Sequence, residues 1–106
     1  MIVAEIYTRK KKITGFSVNG HANTAPVGED IYCAGVSSLT QSAFLCLRDF
    51  LKRDLENFEA DSGKLVVQLK DRPDKLTESV FQTMLIGMRE IQKIAPQVLE
   101  IKEVRD

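Results

Sequence analysis

Cys33, His21 and Asp30 are the residues of this chain that could do covalent chemistry together. Cys33 stands in the run Asp30-Ile31-Tyr32-Cys33-Ala34-Gly35-Val36-Ser37, where a turn-rich segment gives way to helical spacing. Asp30 suits a helix N-cap, and the first turn after a cap leaves backbone N–H groups without acceptors. A cysteine in that turn feels the positive end of the helix dipole, which favours thiolate over thiol. His21, the only histidine, lies twelve positions upstream in Gly20-His21-Ala22. A thiolate with an imidazole within reach can attack a carbonyl carbon and then protonate a leaving amine. The N–H groups around Tyr32 to Ala34 could hold the oxyanion that develops. Asp30 could cap the helix or orient the imidazole. Spacings of three and four place Asp30, Cys33 and Ser37 on one polar helix face, with Gln41 a turn further on. The same residues also admit a plain structural reading, with a small buried thiol, a loop histidine and an ordinary cap.

The elements that must position these groups can be read from periodicity. Ile2 to Thr8 predicts a strand with Ile2, Ala4 and Ile6 on one face. Ile13 to Asn19 predicts a second, with Thr14, Phe16 and Val18 together, and the polar stretch Arg9 to Lys12 between them predicts a hairpin. Gly20 to Glu29 holds turn formers without periodicity and is expected to border the site as a lid. From Asp30 to about Glu56 the spacing is helical, with an apolar stripe of Val36, Leu39, Ala43, Leu47 and Phe50, and with Cys46 beside it as a small core residue. A short strand over Asn57 to Asp61, a turn at Asp61-Ser62-Gly63 and a strand over Leu65 to Leu69 follow. A second helix starts near Pro73 or Asp74, buries Leu76, Val80, Met84, Met88 and Ile91, and ends at Pro96. Val98 to Val104 reads as the last strand. The order β-β-α-β-β-α-β predicts one α+β domain over residues 1–106, a two-layer fold with a mostly antiparallel sheet and two helices packed on one face.

Composition narrows the function classes. Fifteen basic and fifteen acidic residues cancel, so no direct nucleic-acid partner is expected, and Arg9-Lys10-Lys11-Lys12 reads as a solvated hairpin turn. No apolar run nears the roughly 20 residues that span a bilayer, and Met1-Ile2-Val3-Ala4-Glu5 lacks the basic lead of a signal peptide. A cytoplasmic protein without a membrane partner is expected. Cys33 and Cys46, on one helix, would stand about 20 Å apart at ~1.5 Å per residue, too far for a disulfide. Two thiols and scattered acids form no zinc pattern, so no metal is expected.

Gly20-His21-Ala22 followed by Gly28-Glu29-Asp30-Ile31-Tyr32-Cys33-Ala34-Gly35-Val36-Ser37 resembles the signature of the ribosomal-processing cysteine protease family, Prp. Length and element order agree over essentially the whole chain. Tyr32 stands where valine is usual and Gly35 where alanine is usual, and neither change removes a reacting group. The resemblance implies a cysteine endopeptidase that removes the N-terminal extension of a large-subunit ribosomal protein during ribosome biogenesis. It assigns Cys33 as nucleophile and His21 as base and acid, with Asp30, Gly20 and Ser37 at further motif positions and Tyr32 and Ala34 beside the nucleophile. It also implies a homodimer without cofactor and an apolar groove for the extension. The alternative is a non-catalytic ribosome-assembly factor that holds a peptide in the same groove.

Overall fold

The computed structural model describes residues 1–20, 28, 30–60 and 63–105. Strands β1 (Ile2–Arg9), β2 (Lys12–Asn19), β3 (Leu55–Ala60), β4 (Lys64–Leu69) and β5 (Leu99–Arg105) form one sheet in the order β3-β4-β2-β1-β5. Every neighbour pair is antiparallel except β1 with β5. Helices α1 (Asp30–Leu45) and α2 (Lys75–Ile94) complete the predicted α+β order. Ile2, Ala4, Ile6, Phe16, Val18, Leu65, Val67 and Leu99 point from the sheet into one core with Val36, Phe44, Phe81, Met84 and Met88 of the helices. The opposite sheet face is polar at its centre, where Ser17 and Tyr7 hydroxyls donate to the Glu5 carboxylate.

The β1–β2 register shifts between Tyr7 and Thr8, which pair with Gly15 and Ile13. Thr14 is the extra residue of a bulge, and a bulge reverses the side-chain parity beyond it. Ile13 therefore joins Phe16 and Val18 in the core, and Thr14, expected on that face, is only half-buried. At the hairpin tip Lys10 and Lys11 both take positive φ, 51° and 69°, the pattern of a two-residue type I′ turn.

Helix α1 ends earlier than the expected Glu56. At Cys46–Phe50 it widens into a π-helical turn, with Leu51 N–H donating to Cys46 C=O. Lys52 at φ 55° then turns the chain out of helix and into β3. The turn rotates Phe50 away from the apolar stripe, so it is 78% exposed instead of buried. Arg53 closes this corner, donating to both Asp71 oxygens, to Asp74 and to the Arg72 carbonyl. Those hydrogen bonds hold the Asp71 carboxyl below its ordinary range and raise Arg53.

Asp74 caps α2, accepting from Leu76 N–H and Thr77 N–H, while the Thr77 hydroxyl accepts from Asp74 N–H. This box makes Thr77 the buried residue of the first turn, and Leu76, expected in the core, is 60% exposed. The two helices pack closely through glycines. A Cβ on Gly87 would lie 2.9 Å from Leu39 methyls, and one on Gly35 would lie 3.1 Å from the Ile91 Cδ1.

Candidate active site

The first turns of α1 end over one corner of the sheet, and a cavity of about 180 Å³ opens there. Helix α1 contributes Cys33, Val36, Ser37, Thr40 and Gln41 to its wall. The chain start and β2 contribute Ile2, Val18 and Gly20, and the β3–β4 edge adds Glu59, Gly63 and Leu65. Cys33 is 5% exposed and packs with the core, so its face of the helix is continuous with the apolar stripe and not separate from it. The thiol is thus screened by protein on most sides and reachable from the cavity. Cys33 and Ser37 line it together, as their spacing of four predicts, and Gln41 lies a turn beyond.

Gly20 is forced by its surroundings. Its φ is 124°, and an added Cβ would stand 2.8 Å from both the Ile2 Cα and the Met1 carbonyl oxygen. The end of β2 can lie against the start of β1, at the lip of the cavity, only without a side chain there.

Asp30 opens α1 as its first described residue. Its side chain is exposed and accepts no hydrogen bond from a described residue. A negative charge in the first turn still suits the helix dipole. Tyr32 and Ala34 flank Cys33 in α1. Neither side chain lines the cavity. Tyr32 packs half-buried against the core, and Ala34 faces solvent. His21 and the loop expected to act as a lid lie outside the described residues, apart from Gly20 and Gly28.

Thr40, Glu59 and Lys64 also line the cavity and carried no motif. The Thr40 hydroxyl is spent inside the helix, donating to the Val36 and Ser37 carbonyls. Gln41 Nε2 donates to Glu59 Oε1 at 2.9 Å and ties α1 to the β3 edge. Strand pairing alone brings β3 and β4 to this wall, so only the hairpin signal at Gly63 pointed there. Among the described residues no group of acids, cysteines and histidine could hold a metal ion.

A family model described as cysteine protease Prp matches residues 1–100. The ribosomal processing cysteine protease Prp of Staphylococcus aureus is 27% identical over 97 residues, covering 88% of this chain and 90% of that protein. A crystal structure of a Streptococcus mutans protein superposes with a TM-score of 0.84 at 25% identity, over 100% of this chain and 96% of the other. The S. aureus Prp structure in complex with a substrate peptide has a TM-score of 0.88 at 21% identity, covering 98% and 100% of the two chains.

Proposed function

From the premise that this chain belongs to the cysteine protease Prp family, we propose that it is an endopeptidase that removes the N-terminal extension of a large-subunit ribosomal protein. The observation that carries this reading is Cys33 in the first turn of α1, opening onto a cavity with an apolar base of Ile2, Val18, Val36 and Leu65. Apolar side chains of an extended peptide would fill that base, each fully buried one contributing on the order of 1.5–3 kcal/mol to the gross interaction.

The chemistry follows from the groups at the helix start. His21 takes the thiol proton, and the Cys33 sulfur attacks the scissile carbonyl carbon. A C–S bond forms and the carbonyl electrons move to oxygen. Backbone N–H groups at the start of α1, around Tyr32 to Ala34, would hold that oxyanion. Collapse of the adduct breaks the C–N bond, and the imidazolium gives its proton to the departing amine. Water then cleaves the thioester, which returns the thiol and releases the extension as a free carboxylate. Asp30 and Ser37 would support this centre, Asp30 through its charge at the helix start and Ser37 as a polar wall for the peptide backbone. Gly20 lets β2 approach closely enough to form the lip. The protein is proposed to act in the cytoplasm as a homodimer without cofactor. No helix among the described residues is long and apolar enough to cross a membrane.

The test is incubation of the purified chain with the host's precursor of that ribosomal protein, followed by intact-mass measurement. The reading predicts two products whose masses sum to the precursor plus one water. Tight binding with an unchanged precursor mass would replace the protease with a peptide-holding assembly factor.

A further inference from the structure

A second and larger cavity, about 400 Å³, lies at the other end of the same strands. Ile2 lines the Cys33 cavity and Thr8 lines this one. Six residues of strand at ~3.3 Å each separate them by about 20 Å. Its floor is the buried trio Ile6, Ile13 and Leu85. Lys10, Lys11 and Arg105 line its outer side, brought together because Arg105 pairs in register with Thr8 beside the hairpin. None of the three makes an ion pair with a described residue. The two acids on the inner wall are engaged. Glu78 accepts from the Ile13 N–H and from Gln82, and Glu103 pairs with Arg89.

The hairpin tip adds an independent observation. A type I′ turn strongly favours Asn-Gly, because both central residues need positive φ. Lysine at both positions keeps the turn at a cost in strain, and such strain concentrates at functional sites. Two cations are thus held where asparagine and glycine would fold more easily.

We propose that this cavity docks RNA, with a backbone phosphate between Lys10, Lys11 and Arg105 and the attached nucleoside over the Ile6, Ile13 and Leu85 floor. Three cations without an ion-pair partner among the described residues match an oxyanion, and a guanidinium suits phosphate in particular. The inner carboxylates repel a second anion, so the charge belongs at the rim and an uncharged body inside. A nucleotide within a chain has that division. The zero net charge, which argued against nucleic acid, averages a basic pole with the rest of the surface. Docking here leaves the Cys33 cavity open at the opposite end.

The test uses the whole chain and a fluorescently labelled, mixed-sequence 20-nucleotide single-stranded RNA, read by anisotropy at several salt concentrations. Lys10→Asn with Lys11→Gly removes both charges and relaxes the turn, so the thermal midpoint should rise while RNA affinity falls about tenfold. The slope of log K against log salt should shrink by about 1 to 2. Arg105→Gln should weaken binding in the same direction. Lys93→Gln, fifteen residues along α2 from Glu78 and so about 20 Å from the cavity at ~1.5 Å per residue, should leave the affinity within about twofold of wild type. The proposal fails if the wild type binds no RNA at low salt, or if the distant variant weakens binding as much as the hairpin pair. It also fails if poly-glutamate or free AMP binds as tightly as the RNA, which would make this a site for acidic protein or for a small metabolite. These readouts do not depend on cleavage, so they stand apart from the protease assignment.

Discussion

Gly20 and Ile2 touch so closely that a Cβ on the glycine would lie 2.8 Å from the Ile2 Cα. This contact sets the lip of the Cys33 cavity, because it joins the end of β2 to the start of β1 directly beside the segment that carries His21. Gly20→Ala must move backbone against backbone and also adopt a φ of 124°. The expected cost is about 1–3 kcal/mol of stability, measured by urea denaturation, together with a lower kcat/KM. A variant as stable and active as the wild type would show that the lip is not held by this contact.

The corner at Arg53 gives the protein an acid dependence. Asp71 is held below its ordinary value mainly by hydrogen bonds from Arg53. A depressed carboxyl pKa adds stability above the unfolded value, near 3.8, and that stability disappears as pH falls through the lower folded value. Unfolding midpoints between about pH 5 and about pH 2 should therefore drop more steeply in the wild type than in Asp71→Asn. Parallel curves for the two would remove the corner's electrostatic role. The effect should be modest, since 36% of the Asp71 side chain is open to screening solvent.

Phe81 is fully buried and meets Phe16 edge to face, with ring centroids 6.2 Å apart. This pair joins α2 to β2 beneath the hairpin that carries Lys10 and Lys11. Phe81→Ala should cost about 3–5 kcal/mol through lost burial and the cavity left behind. A loss under about 1 kcal/mol in chemical denaturation would mean the core closes over the gap more freely than its packing suggests.

Element order was legible in the sequence because the apolar spacing switches cleanly between periods of two and near four. The spacing of Cys33, Ser37 and Gln41 likewise foretold that they would share a wall. Less legible were features set by one inserted residue. The bulge at Thr14 brings Ile13 into the core, and the π turn at Cys46–Phe50 throws Phe50 outward. Periodicity assumes an unbroken ladder, so it cannot register either. Leu76 was misplaced because the cap at Asp74 fixes the rotation of α2 and turns Thr77 inward. The Glu59 and Lys64 wall depends on strand order, which no local pattern encodes. Gly35 departs from the usual alanine of its motif, and the structure supplies a reason in the Ile91 methyl that fills the space of a Cβ.

The central claim is that the sulfur of Cys33 is the attacking atom, and Cys33→Ala tests it most directly. Circular dichroism and thermal unfolding of the variant establish that the fold survives the loss of one sulfur. Its rate of cleavage of the ribosomal-protein precursor, followed by mass spectrometry, is then compared with that of the wild type. The account predicts a loss of about a thousandfold or more in a folded variant that still binds the extension. Cleavage by the variant within about threefold of the wild-type rate, a barrier change of well under 1 kcal/mol, would contradict it.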